Sequence, residues 1–386
     1  MTANPASPAP RLEYLDALRG FAILGVIVIH CGLFAGWKMI GEQYVYAGAY
    51  GVQLFFMVSA FTIFLTLDRA RVREKHFIQN FFIRRFFRIL PMFWVGLALY
   101  VFVPGREQAT PPIVVTLPDY LLTAVCLHGF HPDSMNSVVP GGWTIAVETS
   151  FYFVAPLLFR FIAGWRCALV FMLGALLVSW AAGFGLQYFY ERHFLWPEIP
   201  ATVFDSFAER WFPSQLPVFA CGILTYQISR ALPAEFLTRR NGWLLLATAA
   251  LLIQAVISAG KLGFFPMQME YAAGFLVVFL ALRCHPAEFL VNPGTQFLGR
   301  ISYSGYLLHF ALLALAVEIS RRCFPDWSTH STRQFLFLLA ATLALTIPAA
   351  WLTYKWVESP FIALGARLVK LSESRHQLPK KSGDAT

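Results

Sequence analysis

Charged residues are scarce in this chain. Asp, Glu, Lys and Arg make up 13% of its 386 residues, where soluble domains average about 25%. Cysteine is sparse too. Cys31, Cys126, Cys167, Cys221, Cys284 and Cys323 lie far apart, without a CxxC pair or a His/Cys ligand spacing, so neither a disulfide framework nor a metal site is expected. No internal repeat is visible, and no soluble appendage. Apolar residues are abundant instead: 58% of the chain is hydrophobic, 38 residues are Phe, and the mean hydropathy is +0.59. That balance excludes a soluble globular enzyme and a disordered chain alike. The net charge of +9 must therefore sit in loops between apolar spans. A lipid bilayer is the expected partner, and nucleic acid is not.

A transmembrane helix needs about 20 apolar residues. Such stretches lie near 17–37, 47–67, 89–104, 143–163, 167–186, 215–230, 243–260, 266–282, 301–320 and 334–354. The expected fold is all-α, a polytopic membrane bundle of about ten helices. Lys and Arg mark the cytoplasmic side. With both termini cytoplasmic, 22 of the 30 Lys and Arg fall inside and 8 outside, and the inverted arrangement would break the rule. No small-residue cleavage site follows the first span, which reads as a retained anchor. Residues 117–130 are too short to cross and read as an outer-leaflet or re-entrant helix. The organisation expected is a disordered lead at 1–10, a transmembrane domain at 11–365 and a basic cytoplasmic tail at 366–386. A basic, Phe-ending loop is expected at 68–91.

Ionisable groups within spans are costly and mark function by default. The first span holds Arg19 at its inner end and His30 eleven residues later. Eleven residues return to within about 20° of the same helix face after a rise of roughly 16 Å. Asp16 lies on that stripe and is placed to pair with Arg19. The structural alternative is that Arg19 snorkels to headgroups and His30 merely packs. The fourth span reads GGWTIAVETSFYF from residue 141. Thr144, Glu148 and Tyr152 share a face, and Glu148 lies roughly 8–10 Å below the outer surface if Trp143 marks that surface. A buried carboxylate must be paired, protonated or functional. In the ninth span Ser302, Tyr306 and His309 share a face, which puts a second histidine near the depth of the first. Gln53 and Ser59 are weaker polar points. Arg85 and Arg88, with Arg84 alongside, present guanidiniums suited to phosphate, although such juxtamembrane arginines often serve lipid headgroups.

Six motifs occur in order: LDALRGFAILGVIVIH (15–30), GVQLFFMVSAF (51–61), FIRRFFRILPMFW (82–94), GGWTIAVETSFYF (141–153), LGRISYSGYLLHF (298–310) and VESPF (357–361). Together they resemble the acyltransferase type 3 family of integral-membrane O-acyltransferases across essentially residues 11–365. The resemblance implies a ten-span bundle that moves acyl groups, usually acetyl, from cytoplasmic acyl-CoA to sugar hydroxyls. It places the family's Arg–x10–His pair on Arg19 and His30, and its R-x-x-R element on Arg85 and Arg88. The W-T-x-x-x-E element falls on Trp143, Thr144 and Glu148, and the late element on Ser302, Tyr303, Tyr306 and His309. Many members have Ser-Gly-Phe where this chain has Ser59-Ala60-Phe61. Some append an extracytoplasmic esterase-like domain that is not seen here, so an acceptor is expected to meet the bundle or an unlinked partner.

The expected function is a multi-pass acyltransferase of the bacterial inner membrane. Acyl-CoA, most simply acetyl-CoA, is its co-substrate, no cofactor is bound, and a carbohydrate or lipid-linked glycan accepts the group. Arg19, Arg85 and Arg88 would hold the donor's phosphates, and His30 would act as general base with Glu148 orienting or charge-stabilising it. Trp143 would stack on a sugar. A His30 nucleophile carrying an acyl group is the alternative chemistry. The rival function is a secondary transporter with a His/Glu proton relay, although the internal repeats common in transporters are missing. A scaffold without chemistry would leave the intramembrane His and Glu unexplained.

Overall fold

The computed structural model describes residues 12–36, 38, 41–102, 115–260, 265–325, 327 and 332–375. The expected lead at 1–10 and residues 376–386 of the expected tail lie outside them. The described residues form helices without a strand: α1 (Glu13–Ala35), α2 (Glu42–Ala47), α3 (Gly51–Arg73), α4 (Phe77–Phe102), α5 (Leu117–Ala124), α6 (Trp143–Phe161), α7 (Trp165–Glu191), α8 (Ala201–Arg210), α9 (Phe212–Ala231), α10 (Arg239–Ala259), α11 (Met267–Cys284), α12 (Pro293–Arg300), α13 (Ser302–Cys323), α14 (Thr332–Thr353) and α15 (Ser359–Arg375).

Nine segments among the described residues are long and apolar enough to cross a bilayer. A tenth helix of spanning length, α9, is less apolar. It buries Gln215 and Gln227, which are satisfied inside the bundle: Gln53 Nε2 donates to Gln215 Oε1 at 3.2 Å, and Gln227 Nε2 donates to the Ile162 carbonyl at 2.9 Å. Neighbours α3, α7 and α11 surround α9, so it has no need of an apolar face toward lipid. The outer helices show the reverse pattern. Val170 and Phe184 on α7 and Leu251 on α10 are 70%, 78% and 72% exposed, an arrangement stable only where the surrounding solvent is hydrocarbon. The protein is a polytopic helical membrane bundle.

Close backbone contacts set the positions that matter for the site. A Cβ on Gly299 would lie 1.8 Å from the Asp16 carbonyl oxygen, and one on Gly20 would lie 2.3 Å from that of Thr295. Only glycine permits this approach, and it seats α12 beside the Asp16–Arg19 turn of α1. The first turn of α13 is clasped by the buried Glu358 carboxylate, which accepts from the Ser304 backbone N–H at 2.9 Å and from the Ser304 hydroxyl. Glu358 ends a π-helical turn, Tyr354–Glu358, between α14 and α15.

One expectation about the basic segments is corrected. Residues 68–91 are almost wholly helical, because α3 runs to Arg73 and α4 begins at Phe77, twelve residues before the expected span. Glu373 supports that early start by accepting from the backbone N–H groups of Lys75 (3.0 Å) and His76 (3.1 Å) and from Asn80 Nδ2 (2.7 Å). A carboxylate at a helix start satisfies free N–H groups and complements the dipole. Residues 366–375 of the expected tail belong to α15, which lies against α4, with Gly365 set on Phe87.

Candidate active site

One turn of α4 separates Arg85 from Arg88, and both meet Arg19 of α1. These three arginines line two adjoining cavities. One is a vestibule of about 1210 Å³ whose walls also carry Arg69, Arg84, Asp16 and Thr62. The other is a cleft of about 630 Å³ containing Ser59, Thr144, Glu148, Ser302, Tyr303 and Tyr306. Arg19 is pinned as its spacing suggested: Nη1 donates to Asp16 Oδ1 and Nη2 to Thr62 Oγ1, each at 3.3 Å. The Arg85 guanidinium lies over the Tyr152 ring at 5.1 Å and the Phe81 ring at 5.7 Å. Among the described residues neither Arg85 nor Arg88 forms an ion pair. Arg84 differs, because Glu74 takes its guanidinium in a two-pronged contact at 3.0 and 2.5 Å.

Glu148 shares the cleft with the arginines. Its Oε1 accepts from Ser59 Oγ at 2.5 Å and from Tyr152 OH, one turn on, at 2.6 Å. Ser59, a weak point in the sequence, therefore holds the key carboxylate. The next residue, Ala60, packs against Gly222 of α9, which accommodates its methyl group. Among the described residues the hydrogen-bond partners of Glu148 are Ser59 and Tyr152, not His30, so a role toward the imidazole would be through charge. Residues 115–142 fold back over the start of α6, with the Asp119 carboxylate accepting from Ser134 Oγ at 2.6 Å and His128 Nε2 donating to the Gly142 carbonyl at 3.0 Å. Burial raises the Asp119 pKa, but the hydrogen bonds from Ser134 and Thr116 outweigh it and hold the carboxyl below the ordinary range. Trp143 opens α6 beneath this segment. Its ring meets the edge of Phe56 at 6.1 Å and the Arg210 guanidinium at 5.9 Å, so its role as a sugar platform is unsupported by its packing.

Tyr306 stands at the other end of the cleft. Its hydroxyl donates to the Gly141 carbonyl at 3.1 Å and receives a hydrogen bond from Thr144 Oγ1 at 3.1 Å. Ser302 lines the same cleft, with its hydroxyl turned back to the Gly299 carbonyl at 2.9 Å. Tyr303 OH donates to the Ile89 carbonyl at 2.8 Å, which ties α13 to the arginine helix. One turn beyond Tyr306, His309 is fully buried and its Nε2 lies 3.2 Å from Nδ1 of the half-buried His30. The two histidines expected at equal depth are in contact. Sequence reasoning did not find the Ser304–Glu358 clasp or the Gly141 carbonyl; the VESPF motif contained the first but offered no partner for it.

Glu148 leaves a charge prediction. Glu148→Gln keeps an acceptor for Ser59 and Tyr152, so the protein should insert and fold, but it removes the carboxylate charge from a cleft where Arg85 and Arg88 have no ion-pair partner among the described residues. Across roughly 10 Å at an effective dielectric of about 20, one unit charge is worth about 1.7 kcal/mol. Positive charge developing beyond Tyr306 should then cost about fifteen- to twentyfold in kcat with no rise in donor KM. Wild-type turnover by the folded Gln variant would reduce Glu148 to packing.

The acyltransferase domain model matches residues 12–355, and with that match the chain belongs to the acyltransferase type 3 family. It is 23% identical over 379 residues to YrhL of Bacillus subtilis (strain 168), named as a peptidoglycan O-acetyltransferase, covering 92% of this chain and 55% of that protein. It is 33% identical over 125 residues to the exopolysaccharide production protein ExoZ of Rhizobium meliloti (strain 1021), covering 32% and 37% of the two chains. Nodulation protein 10 of Rhizobium leguminosarum bv. viciae is 28% identical over 189 residues, covering 43% and 48%. The chain thus spans about half the length, or less, of these curated relatives. No solved structure matches it.

Proposed function

We propose that this protein is a membrane O-acetyltransferase that moves acetyl from acetyl-CoA to a hydroxyl of a sugar or cell-envelope glycan, free or lipid-linked, at the bacterial inner membrane. The observation that carries this reading is the sharing of Arg19, Arg85 and Arg88 between the vestibule and the cleft. Coenzyme A is a polyanion with a long thin arm. Its phosphates suit a vestibule that holds five arginines and one aspartate, and its arm suits the narrower cleft past them that ends at Tyr306, one turn before His309. Guanidiniums match phosphate in pairs, and two of these have no carboxylate to displace. The relatives named for peptidoglycan O-acetylation and exopolysaccharide production support a glycan acceptor. With the arginine end cytoplasmic, as the 22-to-8 division of Lys and Arg favours, donor and acceptor approach from opposite sides.

In this scheme His30 takes the proton of the acceptor hydroxyl as its oxygen attacks the thioester carbonyl carbon. The C–S bond breaks, and the thiolate leaves and recovers that proton from the imidazolium. The test uses purified protein in detergent, where vectorial transport does not register. With acetyl-CoA and glycan fragments it should release free thiol and acetylated glycan in equal amounts. A monodisperse preparation that consumes no thioester, with or without acceptor, would overturn the reading.

A further inference from the structure

His309 makes two contacts, and their chemistry fixes where its protons lie. Its Nδ1 is 2.6 Å from the Tyr306 carbonyl oxygen, and its Nε2 is 3.2 Å from His30 Nδ1. A carbonyl only accepts, so His309 Nδ1 must carry the hydrogen. In a neutral imidazole the other nitrogen is then a bare acceptor. His309 Nε2 is that acceptor, which leaves His30 Nδ1 as the donor. His30 consequently has its hydrogen on Nδ1, where the backbone carbonyl of Val26, one turn earlier, is a second acceptor for it, and its lone pair lies on Nε2.

We propose that His309 is a positioning residue that holds His30 in the Nδ1–H tautomer, with Nε2 free to receive the acceptor's proton. This rests on the reading of His30 as the general base. The chain runs from His30 Nδ1–H to His309 Nε2, and from His309 Nδ1–H to the Tyr306 carbonyl. It does for this base what a carboxylate does for the histidine of a hydrolase triad, namely choose the tautomer and hold the ring, but with a neutral acceptor suited to a buried site. His309 itself cannot substitute as base, since it is 0% exposed and both its nitrogens are engaged. The Phe310 ring packs on both imidazoles, with centroids 4.3 Å from His30 and 4.2 Å from His309, which limits their rotation. The same segment is anchored below by the Tyr306 hydroxyl on Gly141.

The experiment compares His309→Leu with His309→Gln in purified protein, together with His30→Gln. Leucine removes the acceptor. A base in the wrong tautomer is lost as a base, so kcat should fall about 10²-fold, the low end of what a general base supplies. Donor KM should stay put, a split that a general packing defect would not give. Glutamine can offer Oε1 where His309 offers Nε2, and should regain about tenfold over leucine, as expected if only the acceptor is needed. Nitrogen-15 spectra of histidine-labelled wild-type protein should show His30 protonated at Nδ1 and bare at Nε2, which tests the proposal even if the leucine variant fails to fold. Wild-type kcat in folded His309→Leu, or a wild-type spectrum with His30 Nδ1 bare, would overturn the positioning role. If that happened while His30→Gln remained inactive, the base reading would stand. A near-normal His30→Gln would bring down both.

Discussion

Replacing His30 with alanine should lower acetyl transfer by about 10²–10⁴-fold, the range a general base supplies, without lowering the amount of protein in the membrane. Glutamine separates chemistry from packing. It keeps a hydrogen-bonding end that can meet His309, but it cannot take a proton at neutral pH. His30→Gln should therefore be nearly as inactive as His30→Ala. The structure sharpens this expectation. His30 is half-buried, whereas the fully buried His309 spends one nitrogen on the Tyr306 carbonyl and the other on His30. A sequence reading would let His309 inherit the chemistry if His30→Gln stayed active. The contacts remove that escape, so an active Gln variant would sink histidine-based catalysis as a whole. The measurement is initial rate at saturating donor and acceptor, normalised to folded protein.

Arg85→Ala and Arg88→Ala, each alone, should raise the apparent KM for acetyl-CoA about ten- to a hundredfold. The basis is the loss of one charge-assisted contact to phosphate, worth roughly 1.5–3 kcal/mol. Acceptor KM should move little, because both side chains stand at the vestibule, away from His30. A phosphate-free donor, S-acetylpantetheine, supplies the control. It should be a poor substrate for every form, and the arginine variants should lose nothing further on it. Equal losses on both donors would instead assign Arg85 and Arg88 to headgroup binding or topology. Arg84→Ala should behave differently, as its guanidinium already belongs to Glu74.

Much of this protein was decided by composition and helical spacing. A chain with 13% charged residues and long apolar runs has one stable environment, and satisfying every backbone group inside lipid leaves it helices. Local periodicity was equally informative. The three-residue interval from Asp16 to Arg19 predicted their pairing, and the four-residue interval from Glu148 to Tyr152 put both on one face; both contacts are present. Such information is local because a helix converts sequence separation directly into angle and rise. The start of α4 depends on Glu373, nearly three hundred residues away, so no local pattern announced it. Tertiary structure also decided which polar residues share a space. Equal depth on two helices said nothing of their rotation, yet rotation brings His309 onto His30. The partner of Glu148 across helices was equally a matter of packing, which sets Ser59 of α3 against it and puts both in one cleft with the arginines. Within a helix the sequence determines which residues face together; between helices, packing determines which of those faces meet.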